Sequence, residues 1–207
     1  MFVQVIDPVG GGFAANLAHP GGNATGFTVF EYSISGKRIE LLKEIAPHIT
    51  RAAVTRNPNS IAQVGMLGAM QSVAQSLGVE LRPIEPRDAG EIERAISAFA
   101  HSGNGGLIVP SGQLSFAHRE LIITLAARER LPAVYGDRVF VSHGGLISYD
   151  PDRIEQYRLA AGYVDRILRG KKKADPAGTS ADQVRSDAQP QNRRGARYHH
   201  RSPAPTK

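Results

Sequence analysis

Polar residues able to bind a small ligand follow several short apolar runs of this 207-residue chain. An aspartate can accept hydrogen bonds from an ammonium group, whereas a serine hydroxyl or a backbone N–H can donate to a carboxylate. A tyrosine adds an aromatic wall, so together these groups suit a small polar metabolite. The candidate ligand-binding residues are Asp7, Thr28, Asn57, Ser111, Gly112, Asp137 and Tyr149.

Their roles divide by charge. Asp7 or Asp137 would accept from the ammonium group. Ser111 and the backbone of Gly112 would donate to the carboxylate, helped by the positive end of a helix predicted to begin near Ser115. Because Asp and Asn before proline are also ordinary turn residues, a purely structural role stays open for each candidate.

Motifs for other chemistry are incomplete. The glycine run at residues 10–12 lacks both G-x-G-x-x-G and the P-loop pattern, which argues against nucleotide binding. His143-Gly144-Gly145 has no G-x-S-x-G elbow to supply a nucleophile. His199-His200 has no acidic or cysteine companion at ligand spacing, and the chain contains no cysteine. We therefore predict neither an enzyme nor a metal or cofactor site.

The net charge of +6 comes from the end of the chain. Residues 171–207 contain nine basic and three acidic residues, which leaves sixteen of each before them. The body is neutral, so the basic balance does not predict a nucleic-acid partner. Large apolar residues nearly vanish after Asp175-Pro176, and we predict a disordered basic tail at 171–207.

Short apolar runs alternate with helical patterns from Arg51 onward. This alternation predicts parallel strands joined by right-handed crossovers, hence an α/β fold with a doubly wound parallel sheet. Strands are predicted near 52–55, 79–84, 106–110, 132–135 and 146–149.

Helix signals lie between these runs. One helix closes at Gly78, and Asp88 followed by Glu91 starts the next one. A third helix is predicted from Ser115 to Arg130. The last helix stops at Gly170 and carries one apolar face, formed by Ile154, Tyr157, Ala161, Val164 and Leu168.

Five segments carry a family resemblance in order: DPVGGGFAANLAHPGGNATGF at residues 7–27, then residues 36–47, 56–59, 106–110 and 145–149. Together they resemble bacterial ABC-transporter substrate-binding proteins, whose relatives include binders of tryptophan and other aromatic amino acids. The resemblance implies a type I periplasmic-binding-protein-like fold, a small-molecule ligand in an interlobe cleft, and an ABC permease and ATPase as partners. The alternatives are a ligand-sensing regulatory domain of the same fold and, less favoured, a Rossmann-like enzyme.

If the two-lobe organisation of the family applies to this chain, residues 1–27 and 144–170 would be remnants of the first lobe. Residues 28–143 would form the second lobe. Most of the first lobe would be missing. We then expect ligand affinity reduced by roughly a thousandfold or more relative to an intact relative. Apolar surface on the last helix would favour self-association.

Both ends of the chain depart from the family. No secretory signal is visible, so the chain would be cytoplasmic as written, although the family is periplasmic or lipid-anchored. Residues 182–192 can be encoded by codons chosen so that a shift of one nucleotide yields TKFEVTLNLK, an alternating strand like the family's last one. We infer a frameshift in the tail, with a natural disordered tail as the alternative.

Overall fold

A computed structural model describes residues 2–5, 9, 12–16, 26–28, 32–151, 153–170 and 196–200. The strands are β1 (Phe2–Val5), β2 (Gly26–Thr28), β3 (Arg51–Thr55), β4 (Glu80–Ile84), β5 (Gly105–Val109), β6 (Ala133–Tyr135), β7 (Ile147–Pro151) and β8 (Ala196–His200). The helices are α1 (Tyr32–Ile45), α2 (Ile61–Ser76), α3 (Ala89–Ala100), α4 (Gln113–Ala117), α5 (Arg119–Arg128), α6 (Arg138–Ser142) and α7 (Arg153–Leu168).

The chain divides into two compact units. One unit contains Met1–Glu31 and Pro151–Arg197, and the other contains Tyr32–Asp150 and Tyr198–Lys207. The predicted boundary at residue 143 differs from this division because β7 pairs with β6 in the larger unit, with Val134 opposite Ile147. The assignment of the units to lobes stays a prediction.

The larger unit is built on a sheet with strand order β4-β3-β5-β6-β7-β8. The pairs β3–β4, β3–β5, β5–β6 and β6–β7 are all parallel. This confirms the predicted parallel sheet and the side-by-side arrangement of its first four strands. Pro83 lies in β4, at the edge of the sheet, where a missing N–H disrupts no inner ladder.

Helices cover both faces of this sheet. Leu107 and Val109 of β5 belong to an apolar core shared with α3 and α5. Gly106, the residue before Leu107, lies so close to α1 that an added Cβ would approach Leu42 Cδ2 to 2.8 Å. Because alternate residues of a strand face opposite sides, β5 is buried between two helical layers, which explains its continuous apolar sequence.

After β5, three segments differ from the sequence prediction. The single helix predicted from Ser115 to Arg130 is two helices, α4 and α5, which meet at His118. The short helix α6 between β6 and β7 was not predicted. In the tail, β8 lies beside β7, so those five residues differ from the predicted disorder; the rest of 171–207 lies outside the described residues.

The smaller unit pairs β1 with β2 in parallel and packs α7 against them. Phe27 of β2 meets Tyr163 of α7 edge to face, with ring centroids 5.8 Å apart. The apolar face predicted for α7 exists but is exposed, with Leu168 at 80 %. The helix instead buries Ala160, and self-association through the exposed face stays a prediction.

The cap of α3 gives a first testable prediction. Asp88 Oδ1 accepts a hydrogen bond of 2.8 Å from the backbone N–H of Glu91 at the helix start. Replacing Asp88 with alanine should lower the free energy of unfolding by about 1 kcal/mol, because that N–H loses its acceptor. Asp88→Asn should retain nearly full stability in urea denaturation, and equal losses in both variants would contradict the capping role.

Candidate functional site

The carboxyl ends of β3, β5, β6 and β7 lie at one edge of the larger unit, because these strands are parallel. Open α/β sheets bind their ligands at this edge. The loops that leave it contain most of the ligand-binding candidates, and hydrogen bonds join these loops to one another. We call this the carboxyl-edge site; it is formed by residues 56–63, 110–115, 136–139 and 148–150, together with Arg38 of α1.

Asn57 lies in the exposed turn after β3. Its Oδ1 accepts from the Asn59 N–H at 2.9 Å, and its own N–H donates to Gln63 Oε1 at 2.5 Å. The other end of that amide, Gln63 Nε2, donates to the Ser111 carbonyl at 3.2 Å. Gln63 therefore connects the loop after β3 with the loop after β5.

Ser111 joins the next pair of loops. Its hydroxyl donates a short hydrogen bond of 2.5 Å to the Gly136 carbonyl. Gly136 has no room for a side chain, since an added Cβ would lie 2.7 Å from the Ser111 backbone nitrogen. The loops after β5 and β6 are thus in direct contact, which the sequence did not reveal.

Of the two predicted carboxylate donors, Ser111 already donates its hydroxyl to the Gly136 carbonyl. Gly112 precedes α4, which is only five residues long. Ser115 lies inside α4 rather than at its start, and its hydroxyl donates to the carbonyls of Pro110 at 3.0 Å and Gly112 at 2.9 Å. The binding roles of Ser111 and Gly112 stay predictions.

Asp137 begins α6. It is 8 % exposed, and its Oδ1 accepts from the Val139 N–H at 2.9 Å. Phe140 packs α6 onto the core. It is fully buried and stacks on Tyr135 with ring centroids 4.9 Å apart. Burial raises the pKa of the Tyr135 hydroxyl, so this ring is a neutral core side chain at physiological pH.

Charged and polar groups lie beside the end of β7. Tyr149 is buried, and its carbonyl accepts a hydrogen bond of 3.1 Å from Arg38 Nε. Asp150 is 6 % exposed, with the hydroxyl of the fully buried Ser148 at 3.4 Å from its Oδ1. Arg38 itself is 2 % exposed, although arginine is rarely buried.

The remaining candidates are less well defined. Asp7 lies outside the described residues. Thr28 ends β2 and pairs with Val5, but its side chain also lies outside the described part. Among the described residues no cluster of three His, Cys, Asp or Glu side chains could hold a metal. Nor does the described chain contain a helix long and apolar enough to cross a bilayer.

Sequence reasoning missed Arg38, Gln63, Gly136 and Asp150. A signal for Arg38 was present, because it shares one face of α1 with Ser35, Ile39 and Leu42, all of them buried. A cation within an apolar stripe indicates a specific partner. Asp150-Pro151 also repeats the strand-end Asp-Pro pattern of Asp7-Pro8. Gln63 and Gly136 carry no such signal.

Comparison with known proteins agrees with this architecture. The model of the ABC transporter substrate binding protein family matches residues 1–186. A tyrosine-binding protein from Clostridioides difficile (strain R20291) is 24 % identical over 184 residues, which is 89 % of this chain and 52 % of that protein. The chain therefore spans about half the length of this curated relative.

Two solved structures support the fold. A conserved domain protein from Vibrio cholerae superposes with a TM-score of 0.72 and 25 % identity over 84 % of this chain and 58 % of that one. An ABC domain from Streptococcus pneumoniae in complex with L-Trp superposes with a TM-score of 0.70 and 19 % identity. The match covers 84 % of this chain and 60 % of that one. These likenesses confirm the predicted type I periplasmic-binding-protein-like fold. The chain belongs to the ABC transporter substrate-binding protein family.

Proposed function

We propose that this chain is the solute-binding part of an ABC importer and captures a small metabolite such as an aromatic amino acid. The family match over residues 1–186 is the observation that supports this most strongly. The relatives' names mention tyrosine and L-Trp as ligands, which supports the ligand class. Capture outside the cytoplasm and delivery to a permease with its ATPase belong to the same proposal.

The carboxyl-edge site has the chemistry that such a ligand requires. Asp137 and Asp150 place two buried carboxylates there, and either would attract the ammonium group of an amino acid. The buried guanidinium of Arg38 supplies a positive charge on the same edge. Opposite charges fixed in a buried setting recognise a zwitterion better than a neutral sugar.

A titration tests the proposed ligand class. The isotopically labelled full chain is titrated with L-tryptophan and L-phenylalanine to millimolar concentration, and backbone amide signals are followed by NMR. We expect saturable shifts at Asn57, Ser111 and Gly136, because these residues connect the loops of the carboxyl-edge site. NMR is chosen because it detects weak binding.

D-ribose provides the control ligand in the same titration. It is small and polar but carries no ammonium or carboxylate group, so it should cause no saturable shift. Equal responses to ribose and to the amino acids would contradict an amino-acid site. Saturable shifts confined to residues far from the carboxyl edge would contradict the location.

A further inference from the structure

Two side chains of α1 each bury a polar atom that has no hydrogen-bond partner among the described residues. Within the described part of the chain, Arg38 Nη1 and Ser35 Oγ are closed to solvent and have no hydrogen-bond partner. They lie three residues apart and so on the same face of the helix. The Arg38 guanidinium uses its Nε for the Tyr149 carbonyl, at 3.1 Å.

A buried, unpaired donor on a charged group is costly. Native proteins pair nearly all such donors, and an exception indicates a ligand, ion or water that completes the site. Burial lowers the pKa of Arg38 to about 10, while the charge of Asp150 partly offsets this effect. Arg38 therefore remains protonated at neutral pH, and a positive charge stays in the interior.

The position of this charge relates it to the ligand-binding edge. A Cβ on Gly136 would lie 3.2 Å from Arg38 Nη2 and 2.7 Å from the Ser111 backbone nitrogen. The guanidinium therefore lies directly against the contact between the loops after β5 and β6. Tyr149, whose carbonyl accepts from the Arg38 Nε, lies in β7, the strand next to β6 in the sheet.

We propose that Arg38, with the hydroxyl of Ser35, binds the carboxylate group of the ligand. This inference rests on the proposed function. A guanidinium matches a carboxylate in shape and charge, and its unpaired Nη1 has a donor to offer. Arg38 Nη1 is closed to solvent in this structure. The residues that cover it must therefore move apart before a carboxylate can reach it.

This assignment is an alternative to the roles predicted for Ser111 and Gly112. The Ser111 hydroxyl already donates to the Gly136 carbonyl, and the helix that follows Gly112 is a single short turn of five residues. A purely structural Arg38, which would only tie α1 to β7, has no use for an unpaired Nη1. Such a residue would also not explain the unpaired hydroxyl one turn away.

The test observes the guanidinium directly. Side-chain N–H signals of Arg38 are recorded by NMR in the full chain and assigned by through-bond correlation to the Arg38 backbone. The chain is titrated with sodium acetate against sodium chloride, and with L-tryptophan against tryptamine, which lacks the carboxylate. We expect the Arg38 signals to shift saturably with acetate and L-tryptophan, and not with chloride or tryptamine.

Variants measure the contribution of each side chain. Arg38→Lys should weaken L-tryptophan binding about tenfold to a hundredfold, because lysine cannot reproduce the planar donor pair. Ser35→Ala should weaken it about two- to tenfold. Arg82→Lys, an exposed conservative change on β4, is the matched control and should leave binding unchanged. If Arg38→Lys does not fold, the signals of the unaltered chain still decide the question.

The outcomes separate this inference from the proposed function. L-tryptophan binding that leaves the Arg38 signals unmoved overturns the inference and keeps the proposed function. Acetate shifts at Arg38 without any amino-acid binding support the carboxylate site and overturn the proposed ligand class. If neither acetate nor L-tryptophan nor L-phenylalanine shifts any signal, both the inference and the proposed function are overturned.

Discussion

Replacing Phe140 with alanine should lower the free energy of unfolding by about 3–5 kcal/mol, the range for truncation of a buried aromatic side chain. Phe140 is fully buried, stacks on Tyr135 at 4.9 Å and lies 5.8 Å from the Phe116 ring. Truncation would remove both ring contacts and leave a cavity beneath α6. Urea denaturation followed by circular dichroism measures the loss.

Two companion variants control for this prediction. Arg138→Ala changes an exposed side chain of the same helix and should alter stability by no more than about 0.5 kcal/mol. Phe140→Leu keeps much of the apolar volume and should give a smaller loss than Phe140→Ala. If Phe140→Ala were as stable as Arg138→Ala, the ring would not anchor α6 or the Asp137 cap at its start.

The strands of the larger unit were predictable because a strand that is buried on both faces has a continuous apolar sequence. Residues of β5 are all buried, so the strand reads as one apolar run after a glycine pair. Helical crossovers between such strands also predict their parallel pairing. The order β4-β3-β5-β6, in which β3 lies between β4 and β5, was not predicted, because crossovers on either side of a strand are compatible with the same local pattern.

The break between α4 and α5 was not predictable from periodicity. Both helices carry apolar residues at helical spacing, so the sequence reads as one element from Ser115 to Arg130. The Ser115 hydroxyl bonds back to the carbonyls of Pro110 and Gly112, which holds α4 to its own loop. A side chain that binds its local backbone competes with the regular pattern and leaves no trace in hydrophobicity.

The carboxyl-edge site was only half predictable for a similar reason. Asn57, Ser111 and Asp137 were found because strand ends can be located in sequence. The Ser111–Gly136 hydrogen bond joins residues 25 positions apart, and only the packing of neighbouring loops creates it. The apolar residues on its face of α1 indicate that Arg38 is buried, but its contact with the Tyr149 carbonyl joins residues 111 positions apart and could not be predicted.

Gly136→Ala should cost about 1–3 kcal/mol of unfolding free energy, the usual loss for an overpacked site. The added methyl group would lie 2.7 Å from the Ser111 backbone nitrogen, and backbone cannot rotate away as a flexible side chain can. The two loops must then separate. This would weaken two hydrogen bonds: the one from the Ser111 hydroxyl to the Gly136 carbonyl, and the one of 2.8 Å from the Gly136 N–H to the Val109 carbonyl. Urea denaturation measures the loss, and amide exchange at residue 136 should accelerate.

Gly68→Ala is the matched control, because the same chemical change is made where nothing lies within 4 Å of the new methyl group. Gly68 is exposed inside α2, and alanine there should raise stability by about 0.5–1 kcal/mol through its better helix propensity. The two glycine substitutions should thus differ in sign. If both variants were stabilised, the close approach of the two loops would be absent in solution, and the Arg38 guanidinium would no longer lie against a tight turn. A destabilised Gly136→Ala beside a stabilised Gly68→Ala would support the close backbone contact between the loops after β5 and β6, against which the Arg38 guanidinium lies.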